Sequence, residues 1–73
     1  MPITQFELDN WFMYHAPDGP EQLQKYQAIR EAGRVFAEVI LAQTPMCADQ
    51  SVAIRKIRET VMIANQAIAC KGM

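Results

Sequence analysis

The chain has 73 residues, 51% of them hydrophobic and 21% charged, with two cysteines and a formal net charge of −1. A domain this small buries only about 60% of its unfolded surface, so its core contributes little unless disulfides, metal or partners add to it. Acids interspersed among the basic residues argue against a face that grips duplex DNA or RNA, and no run reaches the roughly 18–20 apolar residues of a membrane span.

The N-terminal MPITQFELDN has no basic leader region. Cys47 and Cys70 would close one long loop rather than a disulfide framework, so the expectation is an intracellular protein with two reduced, buried thiols. Residues 1–73 read as a single all-α helical-hairpin domain: an N-terminal helix over 1–13, a loop over 14–20, a helix over 21–43, a turn over 44–47 and a helix over 48–70.

In the first segment Thr4 and Glu7 have capping-box spacing, with Ile3 and Leu8 placed as a hydrophobic staple. Phe6, Trp11, Phe12 and Tyr14 then gather four of the six aromatics into nine residues. The run His15–Pro20, HAPDGP, cannot continue a helix; Asp18 or Gly19 can cap the next one, with Pro20 at its first position.

The second helix carries Tyr26, Ile29, Gly33, Phe36 and Ile40 at spacings of three and four. A second apolar stripe, Ala28, Val35, Val39 and Ala42, lies on roughly the opposite side, leaving only the arc of Gln27, Glu31, Arg34 and Glu38 well solvated. Thr44-Pro45 stops this helix, and so short a turn sends the next one back antiparallel. The third helix repeats the seam with Ile54, Ile57, Val61, Ala64 and Ile68. Its charges (Arg55, Lys56, Arg58, Glu59) lie in its first half, and VMIANQAIAC beyond them is apolar nearly all round. A lone hairpin cannot bury that much apolar circumference, so the pattern predicts a homo-oligomer.

Catalysis finds little support. There is no serine–histidine pairing, phosphate loop, HExxH or Cys/His zinc spacing, so neither a catalytic set, a metal site nor a cofactor is expected. The one histidine, His15, reads as a packing or hydrogen-bonding residue. More suggestive is the set Trp11, Tyr14, Lys25, Tyr26 and Arg30: aromatic faces stack on bases, and Lys and Arg contact phosphate. The plainer reading is that Trp11 and Tyr14 plug the hairpin while Lys25 is solvated. Asn65 lies close to the Val61–Ile68 seam, where an amide needs partners. It either fixes oligomer register or hydrogen-bonds a ligand held between subunits.

The order and spacing of these elements resemble a known family. Tyr14-His15 precedes a Pro/Gly loop, Lys25-Tyr26 and Arg30 follow on the second helix, and after the Thr44-Pro45 break come Ala53-Ile54-Arg55 and the terminal Met62-x-Ala64-Asn65-x-Ala67-Ile68-Ala69. Over residues 14–69 the chain is similar to the phage-encoded cyclic-oligonucleotide sponges that block CBASS immunity, whose helical-hairpin domain is shared with anti-Thoeris sponges. The resemblance implies an immune-evasion protein in the host bacterial cytoplasm. It would form a compact helical hexamer that sequesters second messengers such as 3′,3′-cGAMP without cleaving them. By that analogy Tyr14 stacks on a base and Lys25 contacts phosphate, while Asn65, Ala69, Cys70 and Lys71 belong to a second, cyclic-trinucleotide site. Relatives often carry an arginine where this chain has Cys70, so Lys71 would have to supply that cation.

Two other readings compete. A helical protein–protein interaction module with no small-molecule ligand fits the apolar faces; a DNA-binding adaptor using Arg55, Lys56 and Arg58 fits the acidic balance poorly.

Overall fold

Thr4 sets where the first helix begins. Its backbone is extended (φ −83°, ψ 159°), its hydroxyl oxygen accepts from the Glu7 N–H at 3.1 Å, and Glu7 Oε1 accepts from the Thr4 N–H at 3.3 Å. This capping box opens α1, Gln5–Phe12, which ends as Met13 turns extended. Ile3 and Leu8, the expected staple pair, stay 63% and 42% exposed. The computed structural model describes residues 2–72. Met1 and Met73, the ends of the expected domain, lie outside the described residues.

Gly19 starts α2, Pro20–Gln43, from φ 142°, ψ −172°, a conformation that L side chains rarely adopt. Pro20 takes the first helical position, and Asp18 donates its N–H to Gln22 Oε1 at 2.6 Å instead of capping with its own side chain. The Thr44 hydroxyl and N–H both donate to the Ile40 carbonyl, at 2.6 and 3.1 Å, before Pro45 forbids another turn. Gln50 ties the turn by donating to the Thr44 carbonyl and hydroxyl oxygens, at 3.2 and 3.1 Å.

From Cys47 the chain enters α3, Ala48–Ala69, which runs back along α2. Its C-terminus is a Schellman motif: Gly72 N–H donates to Ala67 O at 2.9 Å and Lys71 N–H to Ile68 O at 3.1 Å. Lys71 occupies the left-handed position, φ 55°, where glycine is usual.

The hairpin seam is half-buried. Tyr26, Ile29, Gly33 and Ile40 face it from α2, and Ile54, Ile57, Val61, Ala64 and Ile68 from α3. Two expectations need correction. Phe36 is 55% exposed, and Ala37 takes its place in the seam, because the four-residue step from Gly33 keeps closer to the contact line. Cys47 is exposed, since it stands at the helix start where the turn faces solvent. Cys70 alone among the described residues is buried, at 2%. The two free thiols sit at opposite ends of α3, about 35 Å apart by helix rise, far beyond disulfide reach.

The described protomer leaves much apolar surface uncovered. Its accessible area is 6086 Å², against about 4,600 Å² for a folded monomer of this mass. Its radius of gyration is 15.4 Å where a compact chain of this length gives about 11 Å. Phe12 (82% exposed), Val35, Val39, Met62 and Ile63 all contribute. That excess, on one protomer, is nearly twice the roughly 800 Å² that each partner gives to a standard protein interface.

Candidate ligand-binding site

Asn10 joins α1 to the far end of α3. In the last turn of a helix, carbonyls have no intrahelical partner. The Asn10 carbonyl meets two side chains instead: His15 Nε2 at 2.6 Å and Cys70 Sγ at 3.8 Å. A carbonyl only accepts, so His15 carries its hydrogen on Nε2. The Asn10 amide returns a hydrogen bond to the Cys70 carbonyl at 3.4 Å, and Gln66 donates to the Cys70 sulfur at 3.0 Å. Lys71 Nζ reaches Asp18 Oδ2 at 3.6 Å from the same end. The result is a clasp of Asn10, His15 and Cys70 that ties both chain ends to the open end of the hairpin.

Tyr14 stands between the clasp residues Asn10 and His15, and its side chain is 86% exposed. It does not plug the hairpin; the clasp holds its neighbour His15 and presents the ring to solvent. Trp11 and Tyr26 are half-buried, and Lys25 and Arg30 are exposed. Lys25 has no ion-pair or hydrogen-bond partner among the described residues.

These five residues do not converge on one face of a single protomer. Lys25 and Arg30 are five positions apart on α2, which at 100° per residue turns them about 140° from each other. Lys25 shares its flank with Ala32 and Phe36, at the i+7 and i+11 positions. There a groove of about 280 Å³ lies over Ile29, Gly33, Ile57 and Val61, with Phe36 and Thr60 at its sides. Arg30 lines a second groove, of about 250 Å³, on the other flank with Arg34 and Arg58.

The residues of the expected trinucleotide site cluster at the end of α3 but differ in access. Asn65 is half-buried, and its Oδ1 is shut from solvent without a hydrogen-bond partner among the described residues. Ala69 is half-buried, Cys70 is enclosed by the clasp, and Lys71 is exposed. Among the described residues no three His, Cys, Asp or Glu side chains gather in a way that could hold a metal ion, and no helix is long and apolar enough to cross a membrane.

The clasp carried no local signal: Asn10 and Cys70 are sixty positions apart, and only the antiparallel return of α3 brings them together. The Arg34–Arg58 juxtaposition was hidden for the same reason. Arg34 had read as one of the solvated residues of α2.

The hairpin thus presents an exposed aromatic ring from a pinned loop, with exposed cations on either flank. Residues 7–69 match the family model described as "Acb2/Tad1, hairpin domain". The match takes in most of the chain, and the protein belongs to that family, the anti-CBASS and anti-Thoeris sponges of phages, which act by sequestering cyclic nucleotides. Searches of curated proteins and of solved structures found no match.

Proposed function

We propose that this protein binds cyclic dinucleotides of the 3′,3′-cGAMP class in the host bacterial cytoplasm and holds them intact, as a homo-oligomer, a hexamer by analogy with its family. The observation that carries the reading is Tyr14: a ring 86% exposed beside a residue fixed by hydrogen bonds. A ring exposed in this way has its face free to stack, and stacking on a base contributes about 1–3 kcal/mol.

Lys25 supplies a phosphate contact from the neighbouring helix. A two-fold interface presents each residue twice, so one Tyr14 and one Lys25 per protomer meet both halves of a ligand with approximate two-fold symmetry. Trp11 and Tyr26 back the site from their half-buried positions. Arg30 points to the opposite flank and reaches the same ligand only from another copy. The large uncovered apolar area supports the assembly that this geometry needs.

A second site for cyclic trinucleotides would be built on Asn65, whose buried Oδ1 awaits a donor. Ala69 leaves room for close approach there. The Cys70 thiol is engaged by the clasp, so Lys71 is the cation available.

Titration calorimetry with a panel of cyclic di- and trinucleotides tests the reading, followed by denaturation and chromatography of the released nucleotide. Tight binding with recovery of the intact ring is expected. Silence across the panel would leave a protein–protein module, and linear products would make the protein an enzyme; either defeats the proposal.

A further inference from the structure

Leu8 and Phe12, one turn apart on α1, form an apolar ridge that stays 42% and 82% exposed. The ridge lies about 130° around the helix from Glu7, Asn10 and Trp11, the half-buried residues of α1. The backbone of α1 runs alongside neither α2 nor α3, and the clasp at Asn10 ties it to the end of the hairpin. The molecule measures 45 × 33 × 16 Å, whereas two packed helices are about 20 Å across. α1 and the loop after it therefore stand out sideways as an arm.

On the hairpin, the groove over Ile29, Gly33, Ile57 and Val61, of about 280 Å³, has no charged residue in its lining; the other groove is lined by Arg30, Arg34 and Arg58. Phe36, 55% exposed, and Thr60 stand at its sides. Thr60 is its one polar lining residue, and that hydroxyl donates to the Lys56 carbonyl at 2.8 Å. The groove asks its occupant for no hydrogen bond, which suits a hydrocarbon side chain and not a polar ligand.

We infer that α1 is an exchanged arm: its Leu8–Phe12 ridge seats in the Phe36–Thr60 groove of a second copy, which returns its own arm in the same way. The inference rests on the homo-oligomer proposed above and names a contact that builds it. The closed clasp keeps the arm from its own groove. Val61 lies nine residues before Cys70, about 14 Å along α3, whereas Asn10, two residues from Phe12, is hydrogen-bonded at Cys70. The accessible area of 6086 Å², against about 4,600 Å² for a compact chain of this mass, leaves enough surface for each copy both to give an arm and to receive one. Phe12 against Phe36 adds an aromatic pair to the burial. Tyr14 follows two residues later, so the exchange sets it at the flank where the second copy carries Lys25.

The test places photoreactive p-benzoylphenylalanine at position 12, which is exposed, in the full-length protein. Ordinary and heavy-nitrogen chains are mixed in denaturant, refolded together, irradiated, digested and read by mass spectrometry. Cross-links from a light arm to heavy peptides that hold Phe36 or Thr60 are expected. Cross-links confined to peptides of one isotope mean that the arm lies on its own hairpin, and cross-links to another region of a second copy mean that it docks elsewhere. Either result overturns the exchange.

Thr60→Arg blocks the groove from an exposed position outside the seam. It and Phe12→Ser should each raise the concentration at which the assembly half-dissociates by about tenfold or more, with little further change when combined. Additive effects overturn the pairing of ridge and groove. Light scattering on the unaltered protein separates this inference from the reading beneath it. A monomeric mass removes the assembly and the exchange together, whereas an assembled protein whose arm cross-links elsewhere defeats the exchange alone.

Discussion

Gly33 on α2 sits directly against Val61 on α3: a Cβ added to the glycine would stand 2.5 Å from Val61 Cγ2 and 3.7 Å from Ile57 Cγ2. Real side chains do not approach so closely, and Val61 cannot swing away because a β-branched residue in a helix has one strongly preferred rotamer. Gly33→Ala gains up to about 1 kcal/mol of helix propensity and faces an overpacking cost of about 1–3 kcal/mol. The expected net result is destabilisation of about 1–2 kcal/mol in chemical denaturation at fixed protein concentration. The double variant Gly33→Ala with Val61→Ala should recover most of it, since removing the two γ-methyls opens the space that the new methyl needs. Additive losses in the double variant would mean that the glycine serves something other than this contact.

Lys71 is strained where Gly33 is crowded. Its φ of 55° closes the Schellman motif with a residue that has a Cβ, at a cost of about 1 kcal/mol relative to glycine. What it gains is the contact with Asp18 at 3.6 Å, between side chains 69% and 64% exposed, and such surface pairs contribute little. Lys71→Gly should therefore raise the denaturation midpoint modestly, by roughly 0.5–1 kcal/mol in stability. The same variant should weaken cyclic-trinucleotide binding if Lys71 is the cation of the second site. A lowered midpoint would show that the Asp18 contact outweighs the backbone strain.

Most of the architecture was legible in the sequence because its causes are local. Thr4 and Glu7 announced α1 by capping-box spacing, Pro20 and Pro45 fixed the limits of α2, and five α3 positions at steps of three and four faced the seam as predicted. Phe36 misled because residues 36 and 37 both lie near the edge of the stripe, and only the partner helix decides which one it accepts. The candidate site was harder to read. Arg30 was grouped with Lys25 by proximity in sequence, although helical geometry turns the two to different flanks. The clasp could not be read at all, since its partners come from the two ends of the chain and meet only after the hairpin has closed.

The clasp should position Tyr14 without contributing to the hairpin. His15→Ala removes a donor from the Asn10 carbonyl and frees the loop that carries the ring. Cyclic-dinucleotide affinity is expected to fall, by less than the one to a few kcal/mol of Tyr14→Ala, with the helical circular dichroism unchanged. In a double-mutant cycle the His15 effect should vanish once Tyr14 is alanine, because a positioning residue has nothing left to position. Full additivity would assign His15 its own contact with the ligand.

Asn65 distinguishes a ligand site from a subunit seam at the end of α3. Its Oδ1 is buried without a donor among the described residues, and an unsatisfied buried polar atom costs about 1–3 kcal/mol. Leucine is close in size and has no such demand. If the missing donor belongs to a ligand, Asn65→Leu should stabilise the ligand-free protein by a comparable amount and abolish the stabilisation that a cyclic trinucleotide gives. If the donor belongs to another copy of the chain, the same substitution leaves that donor stranded in the interface, so the ligand-free assembly should lose stability or dissociate. Thermal denaturation and light scattering on one variant, with and without cyclic trinucleotide, separate these outcomes, because the ligand-free arm moves in opposite directions. The second site proposed here requires the first.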